Sequence, residues 1–371
     1  MRPPTSSVTG GTIILDATGV GNQTYDIDCN ITLNELTITG SAGNIATGRL
    51  RVNPLTLTNQ LSLSGDLTIS NDNSIFDANG LNVFIGGDLF NNNSSTATGL
   101  NVGGYRPQTA TQTTTFNRAG AQVIGGTPAN LTNFANLALA GGSGTLTLNR
   151  NIRINSNLTI NSGKTLADNG NIATVIGNIA NNGTHTSTGS GRILLGGTTQ
   201  QQLSGTGTYG NLELNNAAGA QTLGDKTITG VLTLTNGILD IGSNLLSLTN
   251  TGTGAIAGGP FNNTRMIRTN GNNSDQGVQK SYPTGASNFL FPVGTGSRYT
   301  PARLNVTANT APGTIRVAPV NNVHPGVEFG ANVLRYYWIV RSTGFAGLTV
   351  QPLLQCARRW RRRNASRNGH A

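Results

Sequence analysis

The chain has 371 residues, 51 of them glycine, and only 10% are charged, against about 25% in an ordinary globular domain. Its formal charge of +10 comes largely from six arginines among the last fourteen residues; without them 18 basic residues face 14 acidic ones, so a nucleic-acid reading rests on that tail alone. Two cysteines at opposite ends, Cys29 and Cys356, exclude a disulfide framework, and no apolar run reaches the ~18 residues of a membrane-spanning helix.

In chain order, residues 1–29 read as an N-terminal cap with strands; the start carries no apolar stretch long enough for a secretory signal. Asp26 and Asp28 flank Ile27 and share one side of a strand. They suit a cation site or an acid/base pair, and equally a solvated cap.

Residues 30–262 are built from aliphatic doublets separated by one polar residue. Leu55/Leu57, Leu61/Leu63 and Leu67/Ile69 fall six residues apart, as do Leu146/Leu148, Ile152/Ile154 and Leu158/Ile160. Each doublet is a short strand with two side chains inward and one outward, and Gly and Asn between doublets supply corners. Self-similarity is visible at an offset of 75 (136–139 with 211–214), at 74 (158–160 with 232–234) and at 90 to 91 (67–69 with 158–160, Asn79-Gly80 with Asn169-Gly170). The pattern predicts a right-handed parallel β-helix of three short sides and roughly 18–20 residues per coil, each coil needing its neighbours to bury the aliphatic column. The competing arrangement, an antiparallel meander, lacks sufficient Asn-Gly hairpin turns.

From residue 263 to 353 longer alternating runs with Pro and aromatics predict an antiparallel β-sandwich-like domain, truncated at its end. Residues 354–371 are expected to be an out-of-frame or disordered arginine-rich tail.

Candidate chemistry is sparse. Asp66, Asp72, Asp77 and Asp88 read as corner residues, without a calcium-loop pattern. His185, His324 and His370 have no partner at metal or triad spacing, and surface or loop positions are expected for them. Glycine pairs such as Gly86-Gly87 precede no helix that would hold phosphate. Tyr336, Tyr337 and Trp338, with Arg335 and Arg341 beside them, form the candidate ligand-binding platform for a sugar ring; in a strand Tyr336 and Trp338 share a face and Tyr337 takes the other. Outward threonines (Thr56, Thr68, Thr147, Thr159, Thr233) suggest an ice-binding array, but Ser62 and Arg153 are expected to interrupt it. No catalytic residue, metal ligand or cofactor is assigned.

The motif aromatic-x-Asn-Leu-x-Leu (Phe134 to Leu139, Tyr209 to Leu214), preceded by Gln-x-x-Gly (Gln122 to Gly125, Gln202 to Gly205), resembles large repeat-containing secreted or cell-surface, adhesin-like proteins of Bacteroidota exported by the type IX system. The stretch Phe289 to Gly294 with Tyr336–Trp338 resembles the β-sandwich-like segment that follows such repeats. The resemblance implies an extracellular or outer-surface location and a non-enzymatic structural or adhesive role, as a monomeric segment of a larger chain. Its partners would be glycans or host and environmental surfaces, with no nucleic acid and no transmembrane segment. The alternative is a polysaccharide-binding or polysaccharide-degrading β-helix protein.

Overall fold

The computed structural model describes residues 10–27, 32–51, 60–127, 130–327 and 333–354. The expectations placed on Leu55/Leu57, Thr56, Asp28, the two cysteines, His370 and the arginine-rich tail lie outside these residues. The described chain is all-β: a parallel β-solenoid of about 12 turns with antiparallel strands at its C-terminal end. At the usual strand separation the stack is roughly 60 Å long.

Each turn contributes one strand to each of three sides, in fixed order. Side 1 is a 14-stranded sheet and side 3 a 13-stranded sheet. Side 2 is divided into a 4-stranded sheet, ending at Tyr105–Arg106, and a 7-stranded sheet that begins at Thr132–Phe134. The second sequence set is one complete turn: Gly144–Leu148 on side 1, Ile152–Ile154 on side 2 and Leu158–Ile160 on side 3. In each strand the two aliphatics are buried and the residue between them faces out. β-Branched and leucine side chains suit this pleated, half-buried surface, and each fully buried aliphatic contributes about 1.5–3 kcal/mol. Turn length varies more than the doublet spacing predicts, because loops are inserted at corners. Thr165 pairs with Thr184, 19 residues on, whereas Leu89 pairs with Ile124, 35 residues on.

The corners explain the abundance of Asn. Asn136 Oδ1 accepts the Asn157 N–H, Asn157 Oδ1 accepts that of Asn178, and Asn178 Oδ1 accepts that of Gln202. The side chain of one turn thus satisfies a backbone donor of the next where the ladder bends away. Asp66 and Asp88 do the same, receiving the amides of Asp88 and Val123, and Asp72 receives that of Ser94. These three are corner residues, as expected; Asp77 lies in the strand Ser74–Asp77 and pairs with Arg49. Glycine is obligatory at Gly237, where φ is +93° and a Cβ would stand 1.9 Å from the Asn216 carbonyl oxygen. Where side 2 is divided, Phe76, Tyr105 and Phe134 stack through successive turns with ring centroids 5.3 and 5.4 Å apart.

The sequence repeat has an unexpected phase. Asn136–Leu139 on side 3 corresponds to Leu212–Asn215 on side 2, eleven strands later; Leu158–Ile160 on side 3 corresponds to Leu232–Asn236 on side 2, also eleven strands later; and Leu67–Ile69 on side 1 precedes Leu158–Ile160 by eleven. Eleven is not a multiple of three, so each copy re-enters the stack displaced by one side. The registers also align Gln122 with Gln201, not with the exposed Gln202. Both are buried, and each Nε2 donates to two carbonyls of the preceding turn (Ile85 and Gly87; Val175 and Gly177).

Parallel pairing continues beyond residue 262. Leu245–Leu248 pairs with Gly277–Tyr282, and Ile267–Thr269 with Val293–Thr295. Gly277–Tyr282 then pairs antiparallel with Gly313–Val320, which pairs with Tyr337–Thr343, so side 1 runs unbroken into the C-terminal cap. A second antiparallel sheet, Ser287–Phe291, Ala302–Ala308 and Thr349–Leu354, lies against it. The rings of Tyr282 and Phe289 meet edge-on between the two sheets at 6.5 Å.

Candidate functional site

The aromatic triplet lies at the edge of the cap. Tyr336 and Trp338 fall on one side of the strand and meet edge-on at 5.3 Å, while Tyr337 takes the other side, as strand alternation predicts. Tyr336 is buried, with the Arg298 guanidinium 5.3 Å from its ring centroid. Trp338 Nε1 donates to the Thr300 carbonyl at 2.9 Å, and Tyr337 Oη donates to Asn273 Oδ1 at 2.6 Å with its ring against His324. The polar handles of Tyr337 and Trp338 are engaged within the fold. What remains for a ligand is two separate half-buried ring surfaces: Trp338, on the side of Tyr336 and the exposed Arg298, and Tyr337, on the other side with His324.

His324 is exposed on a loop, as expected. His185 departs from expectation: its side chain is fully buried beside Asp168, whose side chain is also fully buried. His185 Nδ1 accepts the Gly210 N–H at 3.2 Å, which places the ring proton on Nε2, facing Asp168 Oδ2 at 3.2 Å. Burial pushes the Asp168 carboxyl up, but hydrogen bonds from His185, Ser187, Thr188 and Gly170 outweigh it and hold the group below its ordinary value. Ser187 Oγ lies 3.4 Å from the same Nε2. Both neighbours share one nitrogen, so this is a corner brace and not the relay in which base and orienting carboxylate take opposite nitrogens. Asp26, of the N-terminal pair, is exposed and bound to Arg51 at 2.8 Å. Among the described residues no three His, Cys, Asp or Glu side chains gather as a metal site.

Three buried lysines were not foreseen. Lys164, Lys226 and Lys280 all lie in side 1 strands and are at most 3% exposed. Lys226 Nζ donates to the carbonyls of Gly205, Leu223, Gly224 and Asp225 at 2.8–3.3 Å. Lys164 reaches the Arg118 carbonyl at 2.6 Å. Lys280 Nζ sits 5.0 and 5.2 Å from the ring centroids of Tyr282 and Phe289, and burial pushes its ammonium down to about 8. Lys226 clamps stacked corner carbonyls that the sheets leave open, Lys164 caps one of them, and Lys280 donates to the Ser281 carbonyl of its own strand. Arg150, also buried, clamps the carbonyls of Asn130, Leu131 and Asn93 where corner loops are long.

The outer surface of side 1 carries the most regular array. Thr145, Thr165, Thr184, Thr208, Thr227 and Ser247 stand in register across six successive turns. A shorter second column, Thr147, Ala167 and Thr186, runs beside it about 7 Å away along the strands. Of the threonines singled out from sequence, Thr68 and Thr147 lie on side 1, Thr159 on side 3 and Thr233 on side 2. Ser62 and Arg153, expected to interrupt the array, are on sides 3 and 2. Variable turn length had hidden which strands stack. No protein-family model, curated protein or solved structure matches the chain.

Proposed function

We propose that the chain is a non-enzymatic structural and adhesive rod, a module of a larger protein displayed outside the cell. The observation that supports this most is continuity: one 14-stranded sheet runs from the first described turn through the solenoid into the cap. Load or position at one end is thereby transmitted through backbone hydrogen bonds, as a spacer requires. Ion pairs between adjacent turns, Arg49–Asp77 on side 2 and Arg268–Asp240 on side 3, brace the stack outwardly. No helix among the described residues is long and apolar enough to cross a membrane.

The adhesive part rests on a glycan contact at Tyr337, whose half-buried ring, on the side of the strand away from Trp338 and Arg298, offers stacking surface beside the exposed His324. The test is depletion of the purified chain by insoluble neutral polysaccharides, with reducing-end and unsaturated-product assays on the same samples. Depletion without product, weakened by Tyr337→Ala with unchanged circular dichroism, is expected. Product release would overturn the non-enzymatic reading, and equal depletion of the variant would remove the site. Surface proteolysis of intact source cells tests the location; a chain untouched until lysis would refute it.

A further inference from the structure

We infer that the outer surface of side 1 is an ice-binding face. The column Thr145, Thr165, Thr184, Thr208, Thr227 and Ser247 repeats at the strand separation of about 4.8 Å on a rigid backbone. None of these six hydroxyls makes a hydrogen bond within the described residues. Nearer the N-terminal end of side 1 the outward hydroxyls are engaged, Thr12 with Glu35 and Thr39 with Ser70, so the free column begins only at Thr145. A free hydroxyl both donates and accepts, and a β-branched side chain is held in few rotamers, so ordering it on a lattice costs little.

The phase of the repeat supplies an independent argument. Because copies are displaced by one side, the same repeat position appears on different sides and can be compared. Thr227 on side 1 corresponds to Arg153 on side 2. Thr147 corresponds to Arg49 on side 2, Ala167 to Asp77 on side 2 and Asp240 on side 3, and Thr186 to Arg106 on side 2 and Arg268 on side 3. Positions that carry charged side chains on the other two sides, among them the ion pairs Arg49–Asp77 and Arg268–Asp240, are neutral and small on side 1. The column also draws on six different repeat positions, so duplication alone does not generate it. Across these six turns the outward strand residues of side 1 include no charge and no aromatic ring. A charged ligand finds no counter-ion there and a sugar finds no stacking surface. A neutral, flat lattice that donates and accepts hydrogen bonds fits, and ordered water is that lattice.

This inference stands apart from the glycan contact on the cap, and its readout is separate. The full chain is placed in solution around a slowly growing ice hemisphere, and the ice and liquid fractions are assayed. Wild type is expected to be retained in ice. Thr184→Lys/Thr208→Lys, folded by circular dichroism, is expected to fall at least about tenfold, since two unpaired ammonium groups must be desolvated at the contact. Thr174→Lys, outward on side 2, should match wild type. Should the lysine variant not fold, Thr184→Val/Thr208→Val keeps the shape and removes two hydroxyls, and must also lower retention. Exclusion of wild type from ice, or equal retention of wild type and the side 1 variants, overturns the inference. Binding to microcrystalline cellulose with exclusion from ice overturns it as well, and assigns the ladder to a glucan.

Discussion

Replacing Asp168 by asparagine tests the corner brace with almost no change of shape. Asp168 Oδ1 accepts the amides of Gly170 and Thr188 at 3.1 Å, and Oδ2 faces His185 Nε2 at 3.2 Å. An asparagine that keeps its oxygen toward the two amides turns its NH2 to the Nε2–H. One that turns its oxygen to His185 sets NH2 against two backbone donors. A change of imidazole tautomer instead places a proton on Nδ1 against the Gly210 N–H. Every arrangement leaves a buried donor facing a donor. Loss of one charge-assisted bond and one unsatisfied buried donor together cost about 3–5 kcal/mol. Because a stack of turns opens locally, the assay is urea unfolding combined with amide exchange at Gly170, Thr188 and Gly210, where protection should fall first. The sign with pH follows from the lowered carboxyl: its stabilisation is present above the unfolded value near 4 and is lost as pH falls toward the lower folded value. Wild type should therefore lose stability below pH 4 more steeply than Asp168→Asn. A cost under about 1 kcal/mol at pH 7 would refute the assignment of the proton to Nε2.

Amine-reactive esters should leave Lys164, Lys226 and Lys280 unmodified in the folded chain and label all three in denaturant; rapid native labelling of any one would contradict its burial. Since Lys280 titrates near 8 folded and near 10.4 unfolded, the unfolded chain binds the extra proton between those values. Stability should rise from pH 8 to 10, on the order of 1–3 kcal/mol, and Lys280→Met should flatten that rise. Gly237→Ala should cost about 2–4 kcal/mol in urea, from positive φ and the approach to the Asn216 carbonyl. Gln201→Ala should cost about 2–4 kcal/mol, whereas Gln202→Ala should stay within about 0.5 kcal/mol; the reverse order would displace the repeat register drawn above.

Much of the fold was legible because a strand alternates with period 2 whatever follows it. Leu146 to Ile160 could be read as three inward doublets, and that was enough for a solenoid. The stacking was not legible. Corner loops stretch some turns to 35 residues, so neighbours in space are not at one sequence distance. That hid the partnership of His185 with Asp168, and it scattered the threonines of side 1 among those of the other sides. The lysines escaped for a different reason. Lysine is almost never fully buried, and nothing local marks the corner carbonyls that hold it. The aromatic alternation at Tyr336–Trp338 was legible, but the covering of Tyr336 by Arg298, which arrives from a distant turn, was not.

The eleven-strand repeat wound on a three-sided coil behaves as a vernier. Adding or deleting a full turn of three strands lengthens or shortens the rod and leaves its end pointing the same way. Adding or deleting one repeat copy also turns everything beyond it by a third of a revolution. Copy number in such a chain therefore sets the azimuth of the cap as well as its height, and only after three copies does the original heading return.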